Sequence, residues 1–246
     1  MKILIAVIAY NEEKNIRSVL DDLAVHNFGY DVVVIDNGSS DRTVAIARKM
    51  GEEVVAHPVN VGGQFGTLPS YFLYSWMNRY DILCQFDGDG QHKASELKKI
   101  IEPVEKGEAD YVIGSRFLEK KGFQSSFFRR IGIRLFSLLD SWIVGQKITD
   151  VTSGFRAYGK RVIDLFSLVY KHEICDTNQL LLLSFSAGAR IKEVPVEMSE
   201  RLYGQSEFGF FKSSGFILKG LINILGCILQ KKQIKKIMGA INGNQD

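Results

Sequence analysis

Apolar and polar positions alternate in a regular way over the first 115 residues of the chain. Short apolar runs of strand length occur at five places: Ile3–Ala9, Val32–Ile35, Val54–Val55, Asp81–Phe86 and Tyr111–Ile113. Apolar residues at helical spacing fill the segments between these runs: 13–26, 44–47, 71–77 and 95–106. This alternation predicts an α/β fold, in which helices cover both faces of a mostly parallel sheet.

The second half of the chain is less regular. It predicts helices over 129–144, 160–169 and 178–187, and strands over 154–158 and 190–198. Residues 118–128 form a long connection, in which we expect a mobile lid. Because ligands of parallel sheets bind at the carboxyl ends of the strands, chemistry is expected in the loops that follow them.

The composition is that of an ordinary globular protein, with 246 residues of which 46% are hydrophobic and 24% charged. This balance excludes disordered, collagen-like and disulfide-stapled classes. Cys84, Cys175 and Cys227 stand too far apart for a zinc motif or a disulfide framework, which favours a reducing, cytoplasmic setting. The length suits one catalytic domain, which we place at 1–210, followed by a segment at 211–246.

Basic charge is concentrated at the end of the chain. From Arg201 onward seven basic residues face two acidic ones, a net charge of +5, whereas the first 200 residues have a net charge of −2. We predict an amphipathic helix over Ser213–Gln230 that lies on an anionic membrane surface. Its apolar face, toward lipid or the protein body, comprises Phe216, Ile217, Leu221, Ile224, Leu225 and Ile228. The alternative is a helix packed on the domain, followed by a solvated lysine tail.

Polar residues follow four of the predicted strands, at 10–13, 36–41, 87–92 and 114–116. A dinucleotide fold would have Gly-x-Gly-x-x-Gly at the first turn, and a P-loop would have Gly-Lys-Ser/Thr. Neither motif is present in the sequence. The first loop instead offers an aromatic ring and acids, which suit a base and a ribose better than a pyrophosphate.

The most informative loop is Asp87-Gly88-Asp89. Two carboxylates one residue apart at the end of a strand, with a glycine between them, can turn toward one divalent cation. Mg²⁺ or Mn²⁺ held by one or two carboxylates completes its coordination with water and substrate phosphates. Such an ion would neutralise a departing diphosphate. We expect Gln91 and His92, just beyond, to hold a water or a phosphate oxygen.

Seven motifs in fixed order resemble the inverting family 2 glycosyltransferases of GT-A fold, a Rossmann-like α/β architecture. They are Ala9-Tyr10-Asn11-Glu12, Asp36-Asn37-Gly38-Ser39-Ser40-Asp41-Arg42-Thr43, Asn60-Val61-Gly62-Gly63, Asp87-Gly88-Asp89-Gly90-Gln91-His92, Gly114-Ser115-Arg116-Phe117, Thr152-Ser153-Gly154-Phe155-Arg156 and Glu193-Val194-Pro195-Val196. Within that family the chain is most similar to the branch of dolichol-phosphate mannose synthases and polyprenyl-phosphate glycosyltransferases. The resemblance extends from Lys2 to about Phe208.

The resemblance implies roles for individual residues. Positions that bind the nucleotide base and ribose are Tyr10, Glu12, Asp36 and Asn37, and positions that bind the metal and diphosphate are Asp87, Asp89 and Gln91. Arg116 and Arg201 are expected to meet the phosphates of donor and acceptor, because a guanidinium fork binds phosphate bidentately. Further substrate-binding positions are Ala9, Gly62, Gly88, Arg130 and Ser206. Arg129, Arg130 and Arg134 either complete an acceptor-phosphate pocket or form a solvated helix start.

Three departures from the family pattern affect these expectations. Asn37 replaces the second acid of the usual pair, which leaves the donor base open. The branch usually has glutamates near Thr177 and Gln179, whereas the only acids nearby here are Glu173 and Asp176. The two transmembrane helices that are common in the branch are missing after Leu229.

The expected activity is metal-dependent, inverting transfer of a hexose or N-acetylhexosamine from a nucleotide sugar, a UDP-sugar in our interpretation, to a polyprenyl phosphate. The reaction would take place at the cytoplasmic face of the cell membrane, in cell-surface glycan synthesis. One alternative is a saccharide hydroxyl acceptor, and another is a catalytically silent nucleotide-sugar-binding subunit. A small membrane-anchoring partner and a homo-oligomer both stay open. Nucleic-acid binding is not expected, since no aromatics interleave the basic residues.

Overall fold

The computed structural model describes residues 1–26, 28–62, 66–119, 127–169, 177–201 and 222–230, together with residues 234, 236 and 239. Side chains are described for all of these except 127–132 and 169. Seven strands form one sheet, and helices connect most of them along the chain. The α/β fold class that the hydrophobic pattern predicts is therefore confirmed.

Most elements lie where the pattern predicts them. The strands are β1 (Ile3–Ala9), β2 (Asp31–Asp36), β3 (Glu53–Ala56), β4 (Ile82–Asp87), β5 (Tyr111–Ser115), β6 (Arg156–Gly159) and β7 (Ile191–Pro195). The helices are α1 (Ile16–Val25), α2 (Thr43–Lys49), α3 (Leu68–Met77), α4 (Leu97–Glu105), α5 (Phe127–Val144), α6 (Lys160–Asp164) and α7 (Thr177–Ser186). A 3₁₀ turn (Ala94–Glu96) precedes α4, a π-helical stretch (Leu165–Val169) follows α6, and residues 222–230 are helical.

The strand order in the sheet is β3-β2-β1-β4-β6-β5-β7. β1 pairs in parallel with both β2 and β4, and β7 pairs in parallel with β5. β6 is antiparallel to its neighbours β4 and β5, which keeps β4 and β5 in the same direction. As a result, the loops after β2, β1 and β4 leave the same edge of the sheet side by side.

The apolar strands are explained by burial on two sides. All seven residues of β1 are buried. Leu4 and Ile8 face a core layer that includes Phe72 of α3, whereas Ile5 and Val7 face a second layer that α1 and α4 cover. A strand buried on both faces reads as a continuous apolar run and not as an alternating one. The expectation of helices on both faces is confirmed.

Two predicted elements end early. The helix predicted over 160–169 is α-helical only as far as Asp164 and continues as a π-helix. The strand predicted over 190–198 stops at Pro195, because the chain beyond it leaves β5 and bridges to the loop after β4 at His92 and Met198. The predicted lid, 118–128, lies outside the described residues from 120 to 126.

The predicted C-terminal helix is described from residue 222 to residue 230. Ile224 and Cys227 are buried in the core layer that contains the leucines of α7, whereas Leu225 and Ile228 are exposed. The predicted apolar face is thus divided between the protein body and the surface. Phe216, Ile217 and Leu221 lie outside the described residues. None of the helices in the described ranges combines the length and the apolar character that crossing a bilayer requires.

Candidate functional site

The loop after β4 places two carboxylates at the carboxyl edge of the sheet. Asp87 is the last residue of β4, and Asp89 follows after one glycine. Gly88 donates its backbone N–H to the Ile8 carbonyl at 2.8 Å, and a Cβ on Gly88 would lie 3.0 Å from the same oxygen. The glycine therefore lets the loop fold tightly against the end of β1. Asp89 is buried, and its Oδ1 accepts a hydrogen bond from the Gln91 backbone N–H at 3.0 Å.

His92 supports this loop from the protein interior. Its Nδ1 accepts a hydrogen bond from the Asp87 backbone N–H at 2.9 Å, and its Nε2 lies 3.5 Å from Asp87 Oδ2. The ring stacks on Phe155 with 4.5 Å between centroids. Burial lowers the pKa of the His92 imidazole to about 4, so the ring is neutral near pH 7. The sequence predicted contact with a water or phosphate oxygen, but both ring nitrogens are turned toward Asp87 because the ring is packed between aromatic side chains.

Glu12, in the loop after β1, is a second buried acid of the site. Its backbone N–H donates to Thr43 Oγ1 at 2.8 Å, and its Oε2 accepts a hydrogen bond from Asn15 Nδ2 at 2.6 Å. Burial raises the pKa of the Glu12 carboxyl to about 7, against the opposing effects of the Asn15 hydrogen bond and the Arg201 charge. Residues at the starts of α1 and α2 thus hold this carboxylate in place.

The segment after β7 runs back along the loop after β4. The Ser199 backbone N–H donates to the Gln91 carbonyl at 2.8 Å, and Met198 forms an isolated antiparallel bridge with His92. These backbone contacts bring Arg201, two residues further on, to the carboxyl edge of the sheet. A residue that is distant in sequence thereby joins the site.

The guanidinium of Arg201 bridges the two buried acids. It donates to Asp89 Oδ2 from Nη2 at 2.7 Å and from Nε at 3.2 Å, and Nη2 lies 3.4 Å from Glu12 Oε1. Two carboxylates and a guanidinium therefore lie together at the carboxyl edge of the sheet. The family resemblance implies such a grouping for a metal and a diphosphate. The phosphate contact of Arg201 itself stays a prediction.

Asp36 and Asn37 end β2 and organise the loops around them. Asp36 Oδ2 accepts hydrogen bonds from the backbone N–H groups of Gly38 at 3.1 Å and Ser39 at 2.9 Å. Asn37 Oδ1 accepts one from the Val61 backbone N–H at 3.0 Å. Both side chains are buried. Their contacts with a nucleotide base and ribose stay predictions, while their role in shaping the loops is direct.

Arg116 forms a buried bidentate ion pair. Its Nε donates to Asp150 Oδ2 at 2.7 Å and its Nη2 to Asp150 Oδ1 at 2.8 Å. The side chains are 8% and 0% exposed. Glu193 holds the Asp150 backbone in turn, because its carboxylate accepts the N–H groups of Thr149 at 2.9 Å and Asp150 at 2.8 Å. The predicted phosphate contact of Arg116 is untested, but Asp150 already engages two donors of its fork.

The structure describes some of the remaining predicted site residues and not others. Ala9 is buried at the end of β1, and Tyr10 follows it with 36% exposure. Gly62 has a φ of +106°, in the left-handed region that favours glycine. Arg134 is exposed on α5. Outside the described residues are Ser206, Glu173, Asp176 and the side chains of Arg129 and Arg130.

The donors at this edge fit a hard divalent cation that is shared with a phosphate. Asp87 and Asp89 offer carboxylate oxygens, and Gln91 offers an amide oxygen. Across the described part of the chain, no group of three or more His, Cys, Asp or Glu side chains is placed to hold an ion. Mg²⁺ and Mn²⁺ use one or two carboxylates and take further ligands from water and phosphate. The set thus suits an ion that binds together with a diphosphate.

Two supporting residues were not found by sequence reasoning. Asp150 lies 34 residues from its partner Arg116, and nothing in the local pattern pairs the two. Its position two residues before the motif that starts at Thr152 was the available signal. Asn15 precedes the apolar face of α1 and looks like an ordinary helix start, although it binds the Glu12 carboxylate.

Comparison with known sequences places this arrangement among sugar-transferring enzymes. The family model described as glycosyl transferase family 2 matches residues 4–166. A UDP-N-acetylglucosamine–dolichyl-phosphate N-acetylglucosaminyltransferase of Methanococcus voltae is 29% identical over 220 residues, which cover 79% of this chain and 84% of that protein. A polyprenol monophosphomannose synthase of Mycolicibacterium smegmatis is 27% identical over 220 residues, which cover 86% and 81%.

A solved structure shares the fold. Glucosyl-3-phosphoglycerate synthase from Mycobacterium tuberculosis, crystallised with Mn²⁺, UDP-glucose and phosphoglyceric acid, superposes with a TM-score of 0.68. The two sequences are 19% identical, and the match covers 92% of this chain and 79% of that one. At this identity the similarity concerns the fold alone, and the GT-A type of architecture expected from the motifs is confirmed.

Proposed function

Because the chain belongs to glycosyl transferase family 2, we propose that it transfers a hexose or N-acetylhexosamine from a nucleotide sugar to a polyprenyl phosphate, with metal assistance and inversion. Glycosyl transfer itself follows from the family and from the relatives, two of which are named for dolichyl-phosphate or polyprenol-phosphate products or substrates. The metal, the UDP-sugar donor, the acceptor and the location at the cytoplasmic face of the membrane are the proposed parts.

The observation that supports the proposal most strongly is the meeting of Asp87, Asp89 and Arg201 at one edge of the sheet. A divalent ion held by the two carboxylates would neutralise the charge that develops on a departing nucleoside diphosphate. Arg201 adds a fork that matches phosphate oxygens and stays charged at any working pH. The relative that is named for UDP-N-acetylglucosamine supports the choice of a UDP-sugar donor.

A phosphate acceptor removes the need for a catalytic base. A sugar hydroxyl must lose its proton to become a nucleophile, whereas a phosphate monoester has a second pKa of about 6 and is largely a dianion at pH 7. Its oxygen can attack the anomeric carbon opposite the nucleoside diphosphate, so that one C–O bond forms as the other breaks and the configuration inverts. Arg201 would orient the phosphates and offset their mutual repulsion.

An exposed apolar surface supports a lipid acceptor. Leu138 and Trp142 on α5 are 69% and 83% exposed, and Leu225 and Leu229 on the helix 222–230 are 58% and 75% exposed. Trp142 on α5 and Ile228 on the helix 222–230 line one groove. We call the exposed apolar residues on these two helices, Leu138, Trp142, Leu225, Ile228 and Leu229, the apolar patch. Four lysines follow that helix closely in the sequence. Exposed tryptophan and basic residues are both typical of proteins that meet lipid headgroups.

A substrate panel tests the proposal. Purified protein is incubated with UDP- and GDP-linked hexoses and N-acetylhexosamines, a short polyprenyl phosphate, and either Mg²⁺ or Mn²⁺. Mass spectrometry of the lipid fraction reports donor, acceptor and metal together. We expect one donor to add the mass of one sugar to the polyprenyl phosphate, only when metal is present. A lipid that stays unmodified with every donor would overturn the proposed acceptor, and transfer in EDTA would overturn the proposed metal.

A further inference from the structure

The guanidinium of Arg201 lies where a cation is expected. Its Nη2 is 2.7 Å from Asp89 Oδ2, one of the oxygens that we assign to the metal, and 3.4 Å from Glu12 Oε1. The Asp89 and Glu12 side chains are only 9% and 11% exposed, and that of Arg201 is 27% exposed. The site thus contains a positive charge that is supplied by the protein itself.

This placement has an electrostatic cause. Two carboxylates that are both withdrawn from water repel each other, and neither can be fully solvated. A guanidinium between them offsets the repulsion and satisfies oxygens on both. Because a divalent ion on Asp89 would bring a second positive centre to the same oxygen, the ion and Arg201 compete for that carboxylate.

The backbone that leads to Arg201 is fixed on the loop after β4, so that segment need not move when the Arg201 side chain exchanges partners. Ser199 and Met198 are fixed on the loop after β4 by a backbone hydrogen bond of 2.8 Å and a β-bridge. A diphosphate that binds beside Asp87 and Asp89 would offer Arg201 new acceptors close to the ones that it leaves. A rotation of the long side chain is then sufficient.

We infer that Arg201 is a displaceable counter-ion that couples metal binding to diphosphate binding, an inference that rests on the proposed function. When no metal is bound it neutralises Asp89, donates toward Glu12, and weakens the affinity for a free metal ion. When a metal and a nucleoside diphosphate arrive together, the carboxylates bind the metal and Arg201 binds the phosphates. Metal and diphosphate therefore strengthen each other's binding, by linkage, through one side chain.

The test measures Mn²⁺ affinity and not turnover. The electron paramagnetic resonance signal of free Mn²⁺ is titrated with the full-length protein, alone and with saturating UDP or GDP. The variant is Arg201→Gln, which keeps a polar side chain but removes the charge. The matched control is Arg190→Gln, since Arg190 also makes a bidentate carboxylate pair, with Asp110, at the start of β7. Circular dichroism compares the folding of all proteins.

We expect UDP to tighten Mn²⁺ binding by about tenfold or more in the wild type and in Arg190→Gln, within the usual range of coupling between sites. Arg201→Gln should bind Mn²⁺ alone about threefold to tenfold more tightly than the wild type, by the same reasoning, and its UDP effect should be smaller than that of the wild type, because only the direct contact between ion and diphosphate is kept. Arg201→Lys, which keeps the charge without the fork, should lie between them.

Two results would contradict the inference, and they are distinguishable. If folded Arg201→Gln binds Mn²⁺ alone no more tightly than the wild type, while UDP still strengthens binding, the counter-ion role is wrong and the metal site stands. If neither protein binds Mn²⁺ with either nucleotide, or Asp89→Asn does not reduce the binding, the proposed metal site fails together with the inference.

Discussion

Asp89 has few interactions with the core, and its known contacts are with Arg201 and with the backbone of its own loop. Replacement by alanine should therefore leave the fold intact while it removes a carboxylate that we propose for the metal. We expect Asp89→Ala to lower the rate of sugar transfer by about 10²-fold or more, which is typical for the loss of one group that stabilises transition-state charge. Thermal unfolding and initial rates are measured together. Near-normal turnover by a folded variant would remove the metal assignment.

Arg116 and Asp150 belong to a different class of residue, because both are buried and each needs the other. Arg116→Gln leaves the Asp150 carboxylate buried without its cation, and we expect a loss of about 3 kcal/mol in the free energy of unfolding. Asp150→Asn should cost a similar amount. The double variant should cost clearly less than the two single losses added together. Additive losses in urea unfolding would show that the pair has no net coupling.

The conformation of the loop after β2 depends on the positive φ and the missing Cβ of one glycine. Gly38 has a φ of +76°, and a Cβ there would lie 2.4 Å from the Val59 carbonyl carbon. Gly51, at the end of α2, has a φ of +90° with nothing within 4 Å of a Cβ. We expect Gly51→Ala to destabilise the fold by about 1 kcal/mol through backbone conformation alone. Gly38→Ala should cost about 3 kcal/mol, since overpacking adds to that strain. Equal losses in thermal unfolding would contradict the contact.

The apolar patch on α5 and the helix 222–230 predicts attachment to lipid. Leu138 is 69% exposed, so Leu138→Glu should leave the fold unchanged and weaken co-sedimentation with anionic liposomes severalfold. Its matched control is Val25→Glu, because Val25 is an 80% exposed apolar residue at the end of α1, away from the patch. Binding of the wild type should fall at high salt, as lysine–headgroup attraction is screened. Equal loss in both variants would show a general charge effect and not a patch.

At the level of single elements, the hydrophobic pattern was sufficient to locate strands that are buried on both faces. β1 and β4 are apolar on both faces because they lie in the middle of the sheet, and their runs were readable from the sequence. The end of β7 could not be predicted, because Met198 is still apolar where the chain has left β5 and turned to the loop after β4. An apolar residue in the sequence indicates burial, but it does not indicate which neighbouring element buries it.

At the level of the whole molecule, sheet order decides which loops meet. The loops after β1 and β4 are adjacent because those strands pair in parallel, and their place in the site could be predicted from the alternation of strands and helices. Arg201 lies 112 residues from Asp89 in sequence and meets it only through the bridge at His92. The family resemblance implied a phosphate-binding role, but the contact with Asp89 and Glu12 required the structure.

The sequence also did not identify the buried residues that hold the loops of the site. His92 was a candidate for a substrate oxygen, because its motif does not reveal that Phe155 packs against its ring. Arg116 was a candidate for a phosphate, because its buried partner Asp150 lies on another segment. Sequence patterns identified which loops hold polar chemistry. They did not separate side chains that face a ligand from those that hold the loops, since that difference depends on long-range packing.

In the proposed reaction a lipid phosphate, and not a hydroxyl, accepts the sugar. One reaction contains wild-type protein, Mn²⁺ and the donor that is active in the panel. The acceptors are an equimolar mixture of a polyprenyl phosphate and the polyprenol of the same chain length. The two acceptors share the lipid and differ only in the nucleophile, so mass spectrometry of one reaction compares them directly. We predict that sugar is added to the phosphate alone, because the polyprenol needs a base that the proposed mechanism does not include. Glycosylation of the polyprenol at a comparable rate, or release of free sugar with neither lipid modified, would contradict the account.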